Sequence, residues 1–206
     1  MNSAVSTTPA ADAAFEEREE RGMNVLLPST ESTSVAPTGP VVVLIGAPGA
    51  GKTVVAAALA ELLGLPVRDT DVDIEETAGR TIPDIFVSEG EPVFRALERD
   101  AVAKALAEHR GILALGGGAP LNEQTQALLR QHHTAHLFVS MPQGVRRVGL
   151  NTNRPLLVGV NPRATYKALL DARLPIYRGV SRFEVDTNDI DVPQVAQLIA
   201  EWIRTR

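Results

Sequence analysis

The sequence contains no cysteine, no apolar run of membrane-spanning length and no excess of basic side chains. Without cysteine, the protein cannot carry a disulfide scaffold, a thiolate zinc site or a cysteine nucleophile, and a reducing compartment, the cytoplasm, is its expected location. The longest apolar run beside a predicted strand covers only residues 41–47, far short of a membrane span. Outside the first 39 residues, 19 acidic side chains nearly balance 18 basic ones. Since nucleic-acid binding needs clustered positive charge, neither nucleic acid nor a membrane is an expected partner.

The composition divides the 206 residues into two parts. Residues 1–39 are rich in Ser, Thr, Ala, Pro and Glu, carry a net charge of −4 and lack a periodic apolar pattern. Such a segment cannot bury enough apolar surface to offset the entropy cost of ordering. We therefore predict a disordered N-terminal extension over residues 1–39, with a short helix around residues 13–21 as the alternative. Residues 40–206 are predicted to form one compact domain.

From Pro40 onward, short apolar runs alternate with helical patterns. The first run, residues 41–45, is β-branched and apolar throughout, which predicts a strand buried on both faces. Further strands are predicted at residues 66–69, 112–115, 135–140 and 183–186. Helices are predicted at residues 53–63, 81–88, 92–109, 123–132, 143–150, 162–172 and 192–204. The alternation indicates an α/β fold in which helices cover both faces of a parallel sheet.

The strongest motif is GAPGAGKT at residues 46–53, which matches the P-loop pattern between a buried strand and a helix. Its glycines allow backbone N–H groups to approach phosphate oxygens, and the following helix adds the positive end of its dipole. Lys52 supplies an ammonium group for the β- and γ-phosphates, and Thr53 offers a hydroxyl to Mg²⁺. The motif predicts binding of a nucleotide with magnesium but does not specify the reaction.

Two aspartates and three glycines follow other predicted strands. If the second strand continues through Asp71, its carboxylate and that of Asp69 point in the same direction. One could then hold metal-bound water and the other a substrate hydroxyl. The alternative is a solvated helix start, where acidic residues are favoured. The three glycines at residues 116–118 would let a ligand approach the backbone closely.

Basic side chains are concentrated in residues 146–182, where eight stand against one acid, Asp171. A polyphosphate is the expected compensating anion. Within this segment, a turn-prone stretch suits a mobile lid, at about residues 149–162, that carries Arg154 over a phosphoryl group. On a predicted helix earlier in the chain, Arg95 and Glu98 are close enough to pair. They form either a surface ion pair or a unit in which Glu98 orients Arg95 toward an anionic substrate.

Taken together, these features resemble the shikimate kinase family over residues 40–206. The blocks that carry the resemblance lie at residues 46–53, 69–71, 77–86, 90–95, 115–119, 151–157, 173–177 and 185–187. The resemblance implies a three-layer α/β/α fold with a five-stranded parallel sheet of the nucleoside-monophosphate-kinase type. It also implies transfer of the γ-phosphoryl group of ATP to the 3-hydroxyl of shikimate, in aromatic amino-acid biosynthesis, by a monomer that uses Mg²⁺.

The same resemblance assigns roles to individual residues. The catalytic residues are Lys52, Asp71 and Arg154. The ATP-binding residues are Gly49, Ala50, Gly51, Lys52, Thr53, Val54, Arg146 and Arg154. The shikimate-binding residues are Asp71, Arg95, Gly117 and Arg173. The magnesium-binding residues are Thr53 and, through water, Asp69.

Two positions depart from the family pattern. Val54 stands where relatives often carry a second hydroxyl residue, and residues 189–190 stand where relatives often carry a basic residue near the adenine. One alternative is a kinase that phosphorylates gluconate or a nucleoside monophosphate, which would not need both Arg95 and Arg173. Another is a nucleotide-binding regulatory module without transfer activity, which only Val54 and the N-terminal extension favour.

Overall fold

The computed structural model describes residues 25–26, 39–149 and 161–206. The strands in these ranges are β1 (Val25–Leu26), β2 (Val42–Ile45), β3 (Val67–Asp69), β4 (Ile112–Ala114), β5 (Thr134–Phe138) and β6 (Phe183–Asp186). The helices are α1 (Lys52–Leu63), α2 (Thr70–Ala78), α3 (Ile82–Ser88), α4 (Gly90–Glu108), α5 (Glu123–Leu129), α6 (Met141–Gly149), α7 (Pro162–Val180) and α8 (Val192–Arg204). A 3₁₀ turn, Ala119–Leu121, follows β4. No helix within these ranges is both long enough and apolar enough to cross a membrane.

Five of the strands form a parallel sheet in the order β6-β5-β2-β4-β3, which confirms the expected sheet and its strand count. The central strand β2 pairs with β4 on one side and β5 on the other. The chain therefore builds one half of the sheet before crossing to the other half. Loops that leave the carboxyl ends of β2, β4 and β5 diverge at this switch point, where α/β proteins bind their ligands.

A sixth strand, not expected from the sequence, lies at the edge of the sheet. It is β1, which runs antiparallel to β6 with Val25 opposite Glu184 and Leu26 opposite Phe183. The pairing occupies backbone groups along the outer edge of β6, where an unpaired strand would expose its N–H and C=O groups. Of residues 1–39, the structure describes Val25, Leu26 and Gly39, and the first two form this strand.

The core lies between the sheet and its helices. All four residues of β2 are fully buried, as expected for a strand covered on both faces. Helices α1 and α8 pack against each other and bring Leu59 and Ile199 into this core. Helices α4, α5 and α7 contribute Val102, Leu129 and Val180. The sheet and helices hold the loops at the carboxyl ends of the strands on a rigid base.

Near the candidate site, one predicted helix boundary was wrong, and the structure decides between two alternatives that the sequence left open. The sequence predicted that α7 ends at residue 172, but it continues through Pro175 to Val180. Proline removes one helical hydrogen bond and crowds the preceding turn, yet the burial of Tyr177 and Val180 holds the helix in place. The strand β3 does not continue through Asp71, because the Asp69 side chain accepts a hydrogen bond from the Asp71 backbone N–H and so caps α2.

A hydrogen-bonded cluster of the buried His136 and Glu184 with the exposed Arg178 joins β5, β6 and the end of α7. Glu184 accepts hydrogen bonds from His136 Nδ1 at 2.7 Å and from Arg178 Nε and Nη2 at 2.9 and 3.0 Å. Burial by itself would raise the pKa of Glu184, but the His136 and Arg178 hydrogen bonds lower it to about 2. Burial lowers the pKa of His136, and Glu184 opposes that shift only in part.

These pKa shifts predict a fold that loses stability in acid. Both groups have a lower pKa in the folded protein than in the unfolded chain, so the unfolded chain binds more protons as the pH falls. The melting temperature should therefore decline below about pH 6.5, where unfolded His136 takes up a proton, and again below about pH 4.5, where unfolded Glu184 does. Thermal melts from pH 8 to pH 3 measure the effect.

The variant His136→Gln isolates the histidine part, because glutamine keeps an N–H donor for Glu184 but does not titrate. Its melting temperature should change less than that of the wild type between pH 7 and pH 5. The partly buried His132 and His133 also have lowered pKa values, and they remain in both proteins. Identical pH profiles for the two proteins would contradict the assignment to His136.

Candidate active site

The P-loop forms the turn between β2 and α1. Gly49 and Gly51 adopt φ values of 83° and 90°, a region that side chains with a Cβ rarely occupy. Helix α1 begins directly afterwards at Lys52, whose Nζ donates to the carbonyl oxygens of Gly46 at 2.9 Å and Ala47 at 3.3 Å. The loop, the helix N-terminus and the ammonium group therefore share one small volume, as phosphate binding requires.

A pair of oxygen donors lies beside the P-loop. The hydroxyl of Thr53, in the first turn of α1, donates to Asp69 Oδ2 at 3.0 Å. The other oxygen of Asp69 accepts from the Asp71 backbone N–H, also at 3.0 Å. Mg²⁺ prefers oxygen ligands and usually keeps several waters. The oxygens of Thr53 and Asp69 therefore fit a magnesium ion whose remaining ligands are water and phosphate oxygens. The described residues contain no group of three or more His, Asp or Glu side chains that could hold a metal by itself.

The triple-glycine loop after β4 makes room for protein side chains. A Cβ at Gly116 would overlap Asp71 Oδ1, and a Cβ at Gly118 would overlap the Arg95 guanidinium. The backbone N–H of Gly116 also donates to Thr70 Oγ1 at 3.2 Å. The sequence indicated that these glycines allow close approach to the backbone. The structure shows that an aspartate and an arginine are among the groups that approach.

Two side chains of α7 bind the middle glycine of this loop. The carbonyl oxygen of Gly117 accepts from Arg173 Nη1 at 3.0 Å and from the Tyr177 hydroxyl at 2.6 Å. Arg173 is only 9% exposed. The structure thus brings together the four residues that the resemblance assigns to the second substrate. Asp71, Arg95 and Arg173 lie around Gly117 and its neighbours.

Glu98 is a further member of this cluster. It is 4% exposed and accepts from Arg95 Nη1 at 2.6 Å. Burial is the largest influence on Glu98 and raises its pKa, Arg95 opposes that rise, and the Asp71 carboxylate adds to it. The spacing of Arg95 and Glu98 in the sequence allowed two interpretations, a surface ion pair or a unit in which Glu98 orients Arg95. Its burial favours the orienting role, because a buried carboxylate fixes the guanidinium more firmly than an exposed one.

We expect Glu98→Gln to raise the KM of the anionic substrate by about tenfold and to leave the KM of ATP within about twofold. The glutamine keeps the size of the side chain but removes the charge that orients Arg95. Steady-state kinetics with each substrate varied in turn measure the effect. Glu91→Gln is the matched control, since Glu91 contacts the same guanidinium at 2.9 Å but its side chain is 53% exposed. Equal losses in the two variants would contradict the orienting role of Glu98.

Two neighbouring arginines on α6 differ in their contacts. The resemblance assigns Arg146 to the nucleotide, but Arg146 is exposed. Arg147 donates to the P-loop carbonyl of Gly49 at 3.4 Å and to the Thr187 hydroxyl and carbonyl at 3.0 and 2.6 Å. In the structure, Arg147 follows the buried Gly144 by three residues and shares its side of the helix, a burial that the sequence does not signal. The assignment of Arg146 stays a prediction.

Some predicted site residues lie outside the described part of the chain or on its surface. Arg154 and residues 150–160 of the predicted lid lie outside it, so the role of Arg154 stays a prediction. Val54 is 54% exposed in the first turn of α1. A branched apolar side chain there replaces a hydroxyl without entering the core. The contribution of Val54 to ATP binding would have to come from its backbone N–H.

The fold and the site together define a class of protein. A phosphate-binding loop and a magnesium-type oxygen pair lie beside a carboxylate and two arginines on the switch-point side of a parallel sheet. This arrangement is that of a P-loop phosphotransferase.

Comparison with known proteins identifies the family within this class. The profile of the shikimate kinase family matches residues 48–204. The shikimate kinase of Saccharopolyspora erythraea is 54% identical over 164 residues, which are 80% of this chain and 94% of that protein. The shikimate kinase of Thermobifida fusca is 56% identical over 162 residues, with coverages of 79% and 94%. The chain therefore belongs to the shikimate kinase family, and it is an ATP-dependent kinase.

Solved structures agree with this assignment. A shikimate kinase from Acinetobacter baumannii in complex with shikimate superposes with a TM-score of 0.78 at 36% identity, covering 81% of this chain and 93% of that one. A gluconokinase from Sinorhizobium meliloti has a TM-score of 0.51 at 17% identity, with coverages of 82% and 93%. The second similarity is one of fold alone.

Proposed function

We propose that this chain transfers the γ-phosphoryl group of ATP to the 3-hydroxyl of shikimate, giving shikimate 3-phosphate and ADP. The observation that carries the proposal is the meeting of Asp71, Arg95 and Arg173 at the triple-glycine loop, beside the P-loop. Shikimate is a ring with one carboxylate and three hydroxyls. A site for it needs cationic forks at one end and a hydroxyl acceptor facing the nucleotide at the other. The reaction belongs to aromatic amino-acid biosynthesis.

The two arginines hold the carboxylate end of the substrate in this proposal. A guanidinium has five N–H donors in a planar fork, so the bond from Arg173 to Gly117 leaves donors for a carboxylate. Arg95 pairs with the buried Glu98, which fixes the direction of its fork, and also contacts the exposed Glu91. Charge-assisted hydrogen bonds from two such forks orient a small acid far more tightly than a single point charge does.

Asp71 holds the hydroxyl end and accepts the proton. The 3-hydroxyl oxygen forms a bond to the γ-phosphorus while the bond between that phosphorus and the bridging oxygen of ADP breaks. The hydroxyl proton passes to the Asp71 carboxylate. Such a transfer asks for positioning and charge stabilisation rather than covalent chemistry by the protein. Lys52 supplies positive charge at the phosphates, and Arg154 is expected to do the same from the lid.

Thr53 and, through water, Asp69 would hold the magnesium ion that neutralises charge on the β- and γ-phosphates when ATP binds. We predict that Asp69→Asn raises the Mg²⁺ concentration for half-maximal activity by about tenfold. Asparagine is as good a helix cap as aspartate, so α2 should keep its start and the melting temperature should hardly change. Titration of activity with MgCl₂ at fixed ATP measures the shift. Thr53→Ser, which keeps the hydroxyl, is the control and should behave like the wild type.

The proposal also covers the domain boundaries of the chain, its oligomeric state and its location in the cell. Residues 40–206 form the kinase domain and residues 1–39 an N-terminal extension, in keeping with a family match that begins at residue 48. ATP and shikimate are the ligands, and neither nucleic acid nor a membrane is a partner. We propose a monomer, and a reducing compartment such as the cytoplasm fits a chain without cysteine. Sedimentation at micromolar concentration tests the monomer.

An activity assay tests the proposed reaction directly. Protein mixed with MgATP and shikimate should release one ADP for each shikimate consumed. Turnover with gluconate or a nucleoside monophosphate, without turnover on shikimate, would overturn the proposal in favour of another small-molecule kinase. Binding of ATP without any phosphorylated product would overturn it in favour of a regulatory module.

A further inference from the structure

Helix α7 carries two buried tyrosines that reach both ligand-binding loops. The hydroxyl of Tyr166 donates to the carbonyl oxygen of Pro48 in the P-loop at 2.6 Å. The hydroxyl of Tyr177, three turns further along, donates to the carbonyl oxygen of Gly117 in the triple-glycine loop, also at 2.6 Å. Each side chain is 1% exposed. One helix is therefore bonded to the loop for ATP and to the loop proposed for shikimate.

The contact at Tyr166 depends on close packing around the P-loop. A Cβ at Gly144 of α6 would overlap the Tyr166 hydroxyl. At Gly49, a Cβ would lie 3.0 Å from Val148 Cγ2 and 3.1 Å from the Gly144 carbonyl oxygen. The P-loop thus packs closely against α6 and α7, and neither Gly49 nor Gly144 has space for a methyl group. Tyr166 can donate to Pro48 only because Gly144 has no side chain.

The chemistry of a phosphate-binding loop explains why such a donor matters. The loop turns its N–H groups toward the phosphates, so its carbonyl groups face the protein and need donors there. Pro48 is buried, and its carbonyl receives the phenol of Tyr166. At the other loop, burial raises the pKa of Tyr177 while Arg173 opposes the rise, and the phenol keeps the proton that it donates to Gly117.

We propose that Tyr166 and Tyr177 are positioning residues that act on different substrates, Tyr166 by holding the P-loop for ATP and Tyr177 by holding the triple-glycine loop for shikimate. The assignment of Tyr177 rests on the proposed function, and the assignment of Tyr166 needs only a bound nucleotide. Neither side chain is required to touch a substrate. Each acts through the backbone carbonyl that it holds.

The matched variants Tyr166→Phe and Tyr177→Phe test the proposal, because each removes one hydroxyl and keeps the packed ring. Tyr166→Phe should raise the KM of ATP by about tenfold, the effect of one lost hydrogen bond, and leave the KM of shikimate within about twofold. Tyr177→Phe should give the reverse pattern. Calorimetric titration with ADP, which does not depend on turnover, should show the same tenfold weakening for Tyr166→Phe alone.

A merely structural role would give a different result. If both variants have lowered melting temperatures but no split between the two substrates, or if the same KM rises in both, the proposal is overturned. Gly144→Ala provides a second test, since its methyl group would push the Tyr166 hydroxyl away from Pro48. It should reproduce the pattern of Tyr166→Phe, and an effect confined to shikimate would contradict the proposal. Weakened ADP binding by Tyr166→Phe in a protein that does not phosphorylate shikimate would support the assignment of Tyr166. It would refute the proposed function together with the assignment of Tyr177, which rests on it.

Discussion

Replacing Arg173 by alanine is expected to raise the KM of shikimate by about 100-fold while the KM of ATP changes by no more than about threefold. Arg173 is almost fully buried and lies beside the loop proposed to bind the substrate. Removing one partner of a buried charge pair typically costs several kcal/mol, and a 100-fold change corresponds to about 2.7 kcal/mol. Steady-state kinetics with each substrate varied in turn give both constants.

Two further variants separate the causes of this effect. Arg173→Lys keeps the charge but loses the planar fork, so we expect an intermediate rise in the KM of shikimate. Arg163→Ala removes an exposed arginine from the same helix and should leave both constants unchanged. A similar rise in both KM values for Arg173→Ala would show that the residue supports the fold rather than the carboxylate. The melting temperature of each variant should be measured beside its kinetics.

The strands and the P-loop could be predicted because their signals are local. The run at residues 41–45 is apolar at every position, and a strand with this composition is stable only when buried on both faces. The P-loop follows this run directly. Its glycines allow the backbone to turn around a phosphate, and its lysine and threonine contact the phosphates and Mg²⁺. The strand β6 was predicted at its observed bounds, residues 183–186. The sequence signal for each of these features lies within a few residues.

The start of α2 could not be predicted because two local structures competed. The sequence at residues 69–71 suits a strand end and a helix cap equally well. The choice is made by the Asp69 cap and by the bond between Thr70 Oγ1 and the backbone N–H of Gly116, which is distant in the sequence. The continuation of α7 through Pro175 has a similar cause. Burial of Tyr177 against the far loop outweighs the lost helical hydrogen bond.

In the candidate site, too, residues within sequence motifs could be predicted, whereas their partners from distant parts of the chain could not. The resemblance supplied Asp71, Arg95, Gly117 and Arg173, and the structure brings them together, although their roles remain predictions. The partners that hold these residues were harder to find. Tyr166 contacts a loop more than a hundred positions away, and no spacing rule connects two such segments. Contacts of this kind are visible only once the sheet has set the relative positions of its loops.

Asp71→Asn is expected to lower kcat by roughly 10²- to 10⁴-fold, the usual contribution of a positioned general base. Asparagine has the same shape, and its amide still hydrogen-bonds a hydroxyl, so the KM of shikimate should change by less than about fivefold. The loss should therefore appear in the chemical step. Single-turnover quench experiments with excess enzyme measure that step without interference from product release.

Asp73→Asn is the matched control for this variant. Asp73 lies in the same first turn of α2, but its carboxylate pairs with Arg68 at 2.7 Å rather than lying against the triple-glycine loop. Its replacement should leave kcat within about twofold, because a partly exposed ion pair contributes little. A large rise in KM with an unchanged rate of phosphoryl transfer in Asp71→Asn would show that Asp71 only binds the hydroxyls. The proton would then leave by another route, and the assignment of a general base at this position would be wrong.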